Sequence, residues 1–206
     1  MIGDFFSSLL SHFFQNIPHK SYRFQCDEVS SKYEIRLNTG NEFVHCHKYP
    51  DKFEAFFVSS KSENKIACLM IKQFVQPNYT ILFNHGGTVD LGNLCNFLFT
   101  LGQRLGCNVF LYDYSGFGES TGTPTEKAVY ADVETMYDIL LEKYQIEPEK
   151  IVVYGQSLGT APTLYLASNK PVRAAILHSP FLSAAKQYFP GKTQSGSCRF
   201  YDFYKK

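Results

Sequence analysis

From Tyr79 to Leu177 short apolar runs alternate with longer stretches of helical periodicity, and few folds accept that order. Thr80 to Phe83 reads as a strand covered on both faces. Leu91, Leu94, Leu98, Leu101 and Leu105 then recur every three or four residues and predict a helix. Asn108 to Tyr112 is the next strand. Thr123-Pro124-Thr125-Glu126 predicts a capping box with proline at the first helical position. Val129, Val133, Met136 and Leu140 form the buried stripe of that helix. Lys150–Tyr154 is the third strand, a helix follows Ser157, and Arg173–Leu177 is the fourth strand. Four parallel strands with three crossover helices predict an α/β fold, a doubly wound and mostly parallel sheet.

Upstream, Tyr33–Leu37, Glu42–His47, Phe53–Val58 and Lys65–Lys72 read as antiparallel strands that extend the sheet at one edge. His45 and His47 share one face of such a strand, but no third convergent ligand accompanies them, so no metal site is expected. The 206 residues suffice for one sizeable domain. Its expected divisions are 1–18, an amphipathic N-terminal segment; 19–190, the α/β core; and 191–206, a basic aromatic tail. A formal charge of +1 excludes a whole-protein field that gathers nucleic acid. From Lys186 to Lys206, however, five basic residues face one acid. The six cysteines lack the two-residue spacing of a zinc knuckle or redox motif, which predicts reduced thiols in a cytoplasmic chain.

Phe5, Phe6, Leu9, Leu10, Phe13 and Phe14 recur at helical spacing before Pro18. That face can lie peripherally in the cytosolic surface of a membrane or pack on the domain, and the sequence leaves both open.

The chemistry concentrates at Gly155-Gln156-Ser157-Leu158-Gly159, directly after a strand and opening a helix. This is the context of a nucleophile elbow. Gly155 and Gly159 leave room for a turn so tight that Ser157 takes a strained backbone, and the Leu158 N–H lies where negative charge is favoured. Asn84-His85-Gly86-Gly87 follows another strand. Its glycines let the backbone approach a carbonyl, with the Gly87 N–H as the second oxyanion donor. His85 is expected to brace this loop. Asp113 to Ser120 has a glycine pair like a phosphate cradle but no P-loop lysine, and is read as a rigid loop lining one side of the pocket.

These motifs resemble the alpha/beta-hydrolase superfamily, and more closely its domain-containing subfamily seventeen, known as depalmitoylases. The matching segments are His85-Gly86-Gly87 with Val89-Asp90-Leu91-Gly92, Tyr112 to Gly118, Tyr130-Ala131-Asp132, Tyr154 to Thr160 and Ile176 to Pro180. The resemblance implies an alpha/beta-hydrolase fold with Ser157 as nucleophile and the N–H groups of Gly87 and Leu158 as oxyanion hole. His85, Gly86, Asp113, Gly155, Gln156 and Gly159 would support the loops. It implies hydrolysis of acyl thioesters or esters through an acyl-enzyme, S-acylated membrane proteins as substrates, and no metal or organic cofactor.

The sequence departs from the family in three places. No cysteine cluster precedes Cys26, so the Phe/Leu helix is the only substitute anchor. Gly87 stands where relatives usually carry asparagine. Beyond Ser157 the only acid is Asp202 and the only histidine His178, which the family match places in a strand-end motif. The resemblance therefore implies a core lacking its last β–α units, with an open sheet edge at Arg173–Leu177 that invites self-association. Two functions stay in view: a serine hydrolase, or a hydrolase-like protein that binds acyl groups or a partner without turnover.

Overall fold

The computed structural model describes residues 14, 17–28, 31–38, 48–73 and 76–180. The expected strand at 42–47, His45 and His47, most of the N-terminal helix and the basic tail lie outside the described residues.

Eight strands form one sheet: β1 (Tyr22–Cys26), β2 (Tyr33–Leu37), β3 (Phe53–Ser59), β4 (Lys65–Ile71), β5 (Thr80–Asn84), β6 (Asn108–Tyr112), β7 (Ile151–Gln156) and β8 (Ala174–His178). Their spatial order is β1-β2-β3-β4-β6-β5-β7-β8. Neighbours from β1 to β6 in that order pair antiparallel, and β6, β5, β7 and β8 run parallel. As a result β2 and β4 point one way and the other strands the opposite way. The sheet is mostly parallel, with the early strands added at one edge.

Three helices connect the parallel strands: α1 (Leu91–Leu105), α2 (Glu126–Glu142) and α3 (Thr160–Asn169). The alternation of side chains along each strand sorts the core into two layers. Ile81, Phe83, Val109 and Leu111 pack with Leu91, Cys95, Leu98 and Phe99 of α1 on one face. Leu82, Phe110, Tyr112 and Val153 pack with Val129, Val133, Met136 and Leu140 of α2 and Leu166 of α3 on the other. Helices on both faces make the sheet doubly wound. Cys68, Cys95 and Cys107 are buried cysteines outside any disulfide, and Cys26 is an exposed one.

Several local expectations are corrected. The stripe of α1 is Leu91, Cys95, Leu98, Phe99 and Gly102, and Leu105 is 58% exposed. Leu105 is the last residue of the helix, directly before the left-handed Gly106. The cap of α2 is Thr125, whose hydroxyl accepts from the Ala128 N–H, so Pro124 precedes the helix and does not open it. Strand β7 runs to Gln156 because Gly155 stays in register with Asn84 and Gln156 with His178. Lys150 sits in a preceding 3-10 turn. Strand β1 was not anticipated at all. It is held at its start by Asp90, which caps α1 and accepts from the backbone N–H and the hydroxyl of Ser21.

Among the described residues β8 pairs only with β7. Its Ala174-Ala175-Ile176 stretch is exposed, Ile176 to 43%. Phe14 and Ile17, the described part of the N-terminal segment, pack against the α2-side core.

Candidate active site

Strand β7 delivers Gly155 and Gln156 to the carboxyl end of the sheet, where the chain turns through a 3-10 segment, Ser157–Gly159, into α3. Ser157 has φ 51°, a left-handed conformation that serine rarely adopts. The reason is spatial. A Cβ on Gly155 would lie 2.3 Å from the Gly159 carbonyl oxygen and 2.4 Å from Thr163 Oγ1. A Cβ on Gly159 would lie 2.0 Å from the Asn84 carbonyl oxygen. Strand, turn and helix therefore close on one another more tightly than any side chain at 155 or 159 permits, and the strain falls on Ser157. Ser157 is half-buried, and its carbonyl accepts from Thr160 Oγ1 at 2.6 Å.

A polar chain behind the turn locks it. Tyr112 donates to Asn84 Oδ1 at 2.7 Å, Asn84 Nδ2 donates to Thr163 Oγ1 at 2.7 Å, and Thr163 donates to the Gly159 carbonyl at 2.8 Å. All three side chains are buried. Nothing in the periodicity of the sequence reveals this chain, whose members are far apart. Its only signal is an asparagine ending an otherwise apolar strand.

The loop after β5 faces the elbow. A Cβ on Gly86 would sit 3.8 Å from Ser157 Cβ and 3.7 Å from the Gln156 carbonyl oxygen. Gly87 follows in a buried turn, and Leu158 is wholly buried. The structure thus brings together the sequence-predicted residues Gly86, Gly155, Gln156, Ser157, Leu158 and Gly159, with Gly87 next to Gly86.

His85 braces this loop from within the core. Its Nδ1 donates to the Gly86 carbonyl at 2.8 Å, its own carbonyl accepts from Tyr114 Oη at 2.8 Å, and its ring lies 4.3 Å from that of Tyr114. Asp113 stands behind it, 3.5 Å from His85 Nε2. Asp113, Tyr114, Ser115 and Phe117 are wholly buried, so their loop supports the site from behind and does not line an open pocket. Asp132 of α2 holds the same loop, accepting from Ser115 N at 2.7 Å and Ser115 Oγ at 3.0 Å. His178 lies exposed at the end of β8 with Nδ1 2.9 Å from Tyr154 Oη, and Asp202 lies outside the described residues.

Burial pushes the carboxyls of Asp113 and Asp132 up, to about 7 and about 6, and pushes the His85 imidazole down to about 4. For the two acids, the stabilising effect is complete below the unfolded value near 3.8 and is lost as pH rises through about 6 and 7. For His85 it is complete above 6.5 and lost as pH falls toward 4. The effects oppose one another at acid pH. Above pH 6.5 the main remaining change is the ionisation of Asp113, so thermal melts should show Tm falling as pH rises from about 6.5 to 8. A Tm that rises across that interval would contradict the buried acid.

The profile of the alpha/beta hydrolase fold matches residues 79–197, more than half of the chain. The chain belongs to the alpha/beta-hydrolase fold family. It is 40% identical over 173 residues to human alpha/beta hydrolase domain-containing protein 17B, a match that covers 84% of this chain and 60% of that protein. It is 41% identical to mouse protein 17C, covering 76% of this chain and 49% of that one. Over 139 residues it is 45% identical to alpha/beta hydrolase domain-containing protein aho-3 of Caenorhabditis elegans, covering 68% of this chain and 42% of the relative. The chain thus spans about half the length of these curated relatives. Among solved structures, an alpha-beta hydrolase of Vibrio vulnificus superposes with a TM-score of 0.59 at 20% identity, over 73% of this chain and 53% of that one. An esterase of Pyrococcus furiosus superposes at 0.55 and 20% identity, over 72% and 60%. These two likenesses establish the fold. The chain is therefore hydrolase-like.

Proposed function

We propose that Ser157 is the nucleophile of an acyl-transfer site of the palmitoyl-protein thioesterase type. Ser157 Oγ attacks the carbonyl of an acyl thioester or ester, and the N–H groups of Gly87 and Leu158 receive the developing oxyanion. The thiol or alcohol leaves with a proton, and water then releases the fatty acid from the acyl-enzyme. The observation that carries this reading is the left-handed Ser157 at the carboxyl end of β7, opposed by the glycine loop after β5. S-acylated membrane proteins are the substrates in this reading. The test is labelling of the chain by a fluorophosphonate reagent together with release of acid from a long-chain acyl thioester.

One observation favours a second reading, binding of acyl groups or a partner without turnover. Among the described residues no imidazole or carboxylate is hydrogen-bonded to the Ser157 hydroxyl. A serine without a base is a weak nucleophile at neutral pH. A chain that binds the acyl substrate yet neither labels nor hydrolyses would select this reading. The edge of β8, paired only with β7 among the described residues, offers such a protein a place for self-association, which light scattering would detect.

The same proposal places the chain peripherally on cytosolic membranes through the apolar face of residues 5–14, with Phe14 at its end packed on the core. No helix among the described residues is long and apolar enough to cross a bilayer. In liposome flotation the wild-type chain should float, and a Phe5→Ser, Phe13→Ser double variant should stay with the soluble fraction. Equal flotation of both would remove the helix as an anchor.

A further inference from the structure

The His85 ring is fully buried, and its Nδ1 donates to a carbonyl, which can only accept. In the neutral ring Nε2 therefore carries a bare lone pair, and it has no hydrogen-bond partner among the described residues. What it faces is Asp113 Oδ1 at 3.5 Å, also fully buried. That oxygen already accepts from the Leu91 N–H at 2.7 Å, and Asp113 Oδ2 accepts from Tyr22 Oη at 2.5 Å. An ionised Asp113 would set lone pair against lone pair between two fully buried side chains. One proton between the two atoms removes the conflict, and closing the gap by about half an ångström makes a full hydrogen bond.

We propose that His85 and Asp113 hold one proton between them, and that this proton fixes the Gly86–Gly87 backbone. Asp113, with Tyr22 behind it, is then a positioning residue for the glycine loop. The catalytic significance of that loop rests on the function proposed above, whereas the shared proton does not.

The surroundings favour retention of the proton near neutrality. Asp90, at the start of α1, is a second carboxylate whose charge disfavours ionisation of Asp113. Cys68 of β4 and Tyr114 are kept in their neutral forms by burial. Among the described residues the Tyr22 hydroxyl of β1 and the N–H groups of Leu91 and Glu119 stabilise the carboxylate. No cationic side chain is paired with it among the described residues. The pair titrates as one unit, and the proton it loses first belongs to both residues.

Loss of that proton restores the repulsion. The ring is clamped against Tyr114 and Phe117, so the movement passes to its other nitrogen and the Gly86 carbonyl. Strand β1 acquires a functional connection through this geometry. Tyr22, wholly buried and 91 residues away in sequence, sets how readily the loop behind the elbow lets its proton go.

The test is a nuclear magnetic resonance titration of the 206-residue chain from about pH 5 to 9, following the His85 ring nitrogens, the Asp113 carboxyl carbon and the Gly86 and Gly87 amides. All four should move with one midpoint near neutrality. Tyr22→Phe removes a donor to the carboxylate and should raise that midpoint by about one unit. Should Tyr22→Phe not fold, the wild-type titration decides. Ionisation of Asp113 in the ordinary carboxylate range with His85 silent would overturn the shared proton. A common midpoint that leaves both glycine amides unmoved would overturn the positioning role. Ser157→Ala should show the same titration, so failure of the serine as a nucleophile would not disturb this result, and its success would not rescue it.

Discussion

Ser157→Ala should abolish fluorophosphonate labelling together with whatever acyl-thioester hydrolysis the wild-type chain shows, because the attacking group is gone. Losing one oxyanion donor costs only about 10² to 10³ in rate, so the two kinds of defect are separable by size. Folding should not change, because alanine and serine carry the same Cβ strain at φ 51°. Ser157→Gly makes the complementary point. It also removes the hydroxyl, but glycine accepts the left-handed turn, so this variant should be inactive and about 1 to 2 kcal/mol more stable. Urea melts of the three chains beside their labelling would show whether strain and reactivity reside in the same residue. Labelling that survives Ser157→Ala would assign the reactive group elsewhere.

The elbow was readable in the sequence because its constraint is local. Gly155 and Gly159 flank Ser157 within five residues, and both are required by close approach of neighbouring backbone. The parallel strands were readable because each is covered on both faces and carries a short apolar run between helices. What supports the site was not readable, because its partners are distant in sequence. Tyr22 reaches Asp113, Asn84 reaches Thr163, and Ser21 reaches Asp90 across 91, 79 and 69 residues. A tyrosine in a turn-rich stretch gives no sign that it will donate to a buried carboxylate. Strand β1 was missed for the same reason: its residues alternate loosely, and its place is fixed by pairing with β2 and by Asp90. The glycine-rich setting of Asp113 to Ser120 suggests a loop that lines the pocket, although Asp113 is buried. Its neighbour Gly118 shows why it is core instead, since a Cβ there would lie 1.8 Å from Asp113 Oδ2.

Gly159→Ala should destabilise the fold by more than about 3 kcal/mol, a large part of the 5 to 15 kcal/mol that holds a typical domain together. The added Cβ would lie 2.0 Å from the Asn84 carbonyl oxygen, 2.5 Å from the Asn84 carbonyl carbon and 2.9 Å from the His85 oxygen. All three are backbone atoms at the end of β5, where Asn84 is in register with Gly155 of β7. No flexible side chain can yield, so either α3 lifts away from the sheet or β5 leaves its ladder. Lifting α3 would break the Tyr112–Asn84–Thr163 chain and leave buried polar groups without partners. It would also turn Ser157 away from the Gly86 loop. Gly106→Ala is the control. Gly106 ends α1 at φ 63° with nothing within 4 Å of an added Cβ, so that variant carries backbone strain alone, about 1 to 2 kcal/mol. Equal losses in the two variants would mean that α3 and β5 do not approach this closely. A much larger loss at Gly159 would show that the contact forcing Ser157 into its strained turn is the same one that joins the helix to the sheet.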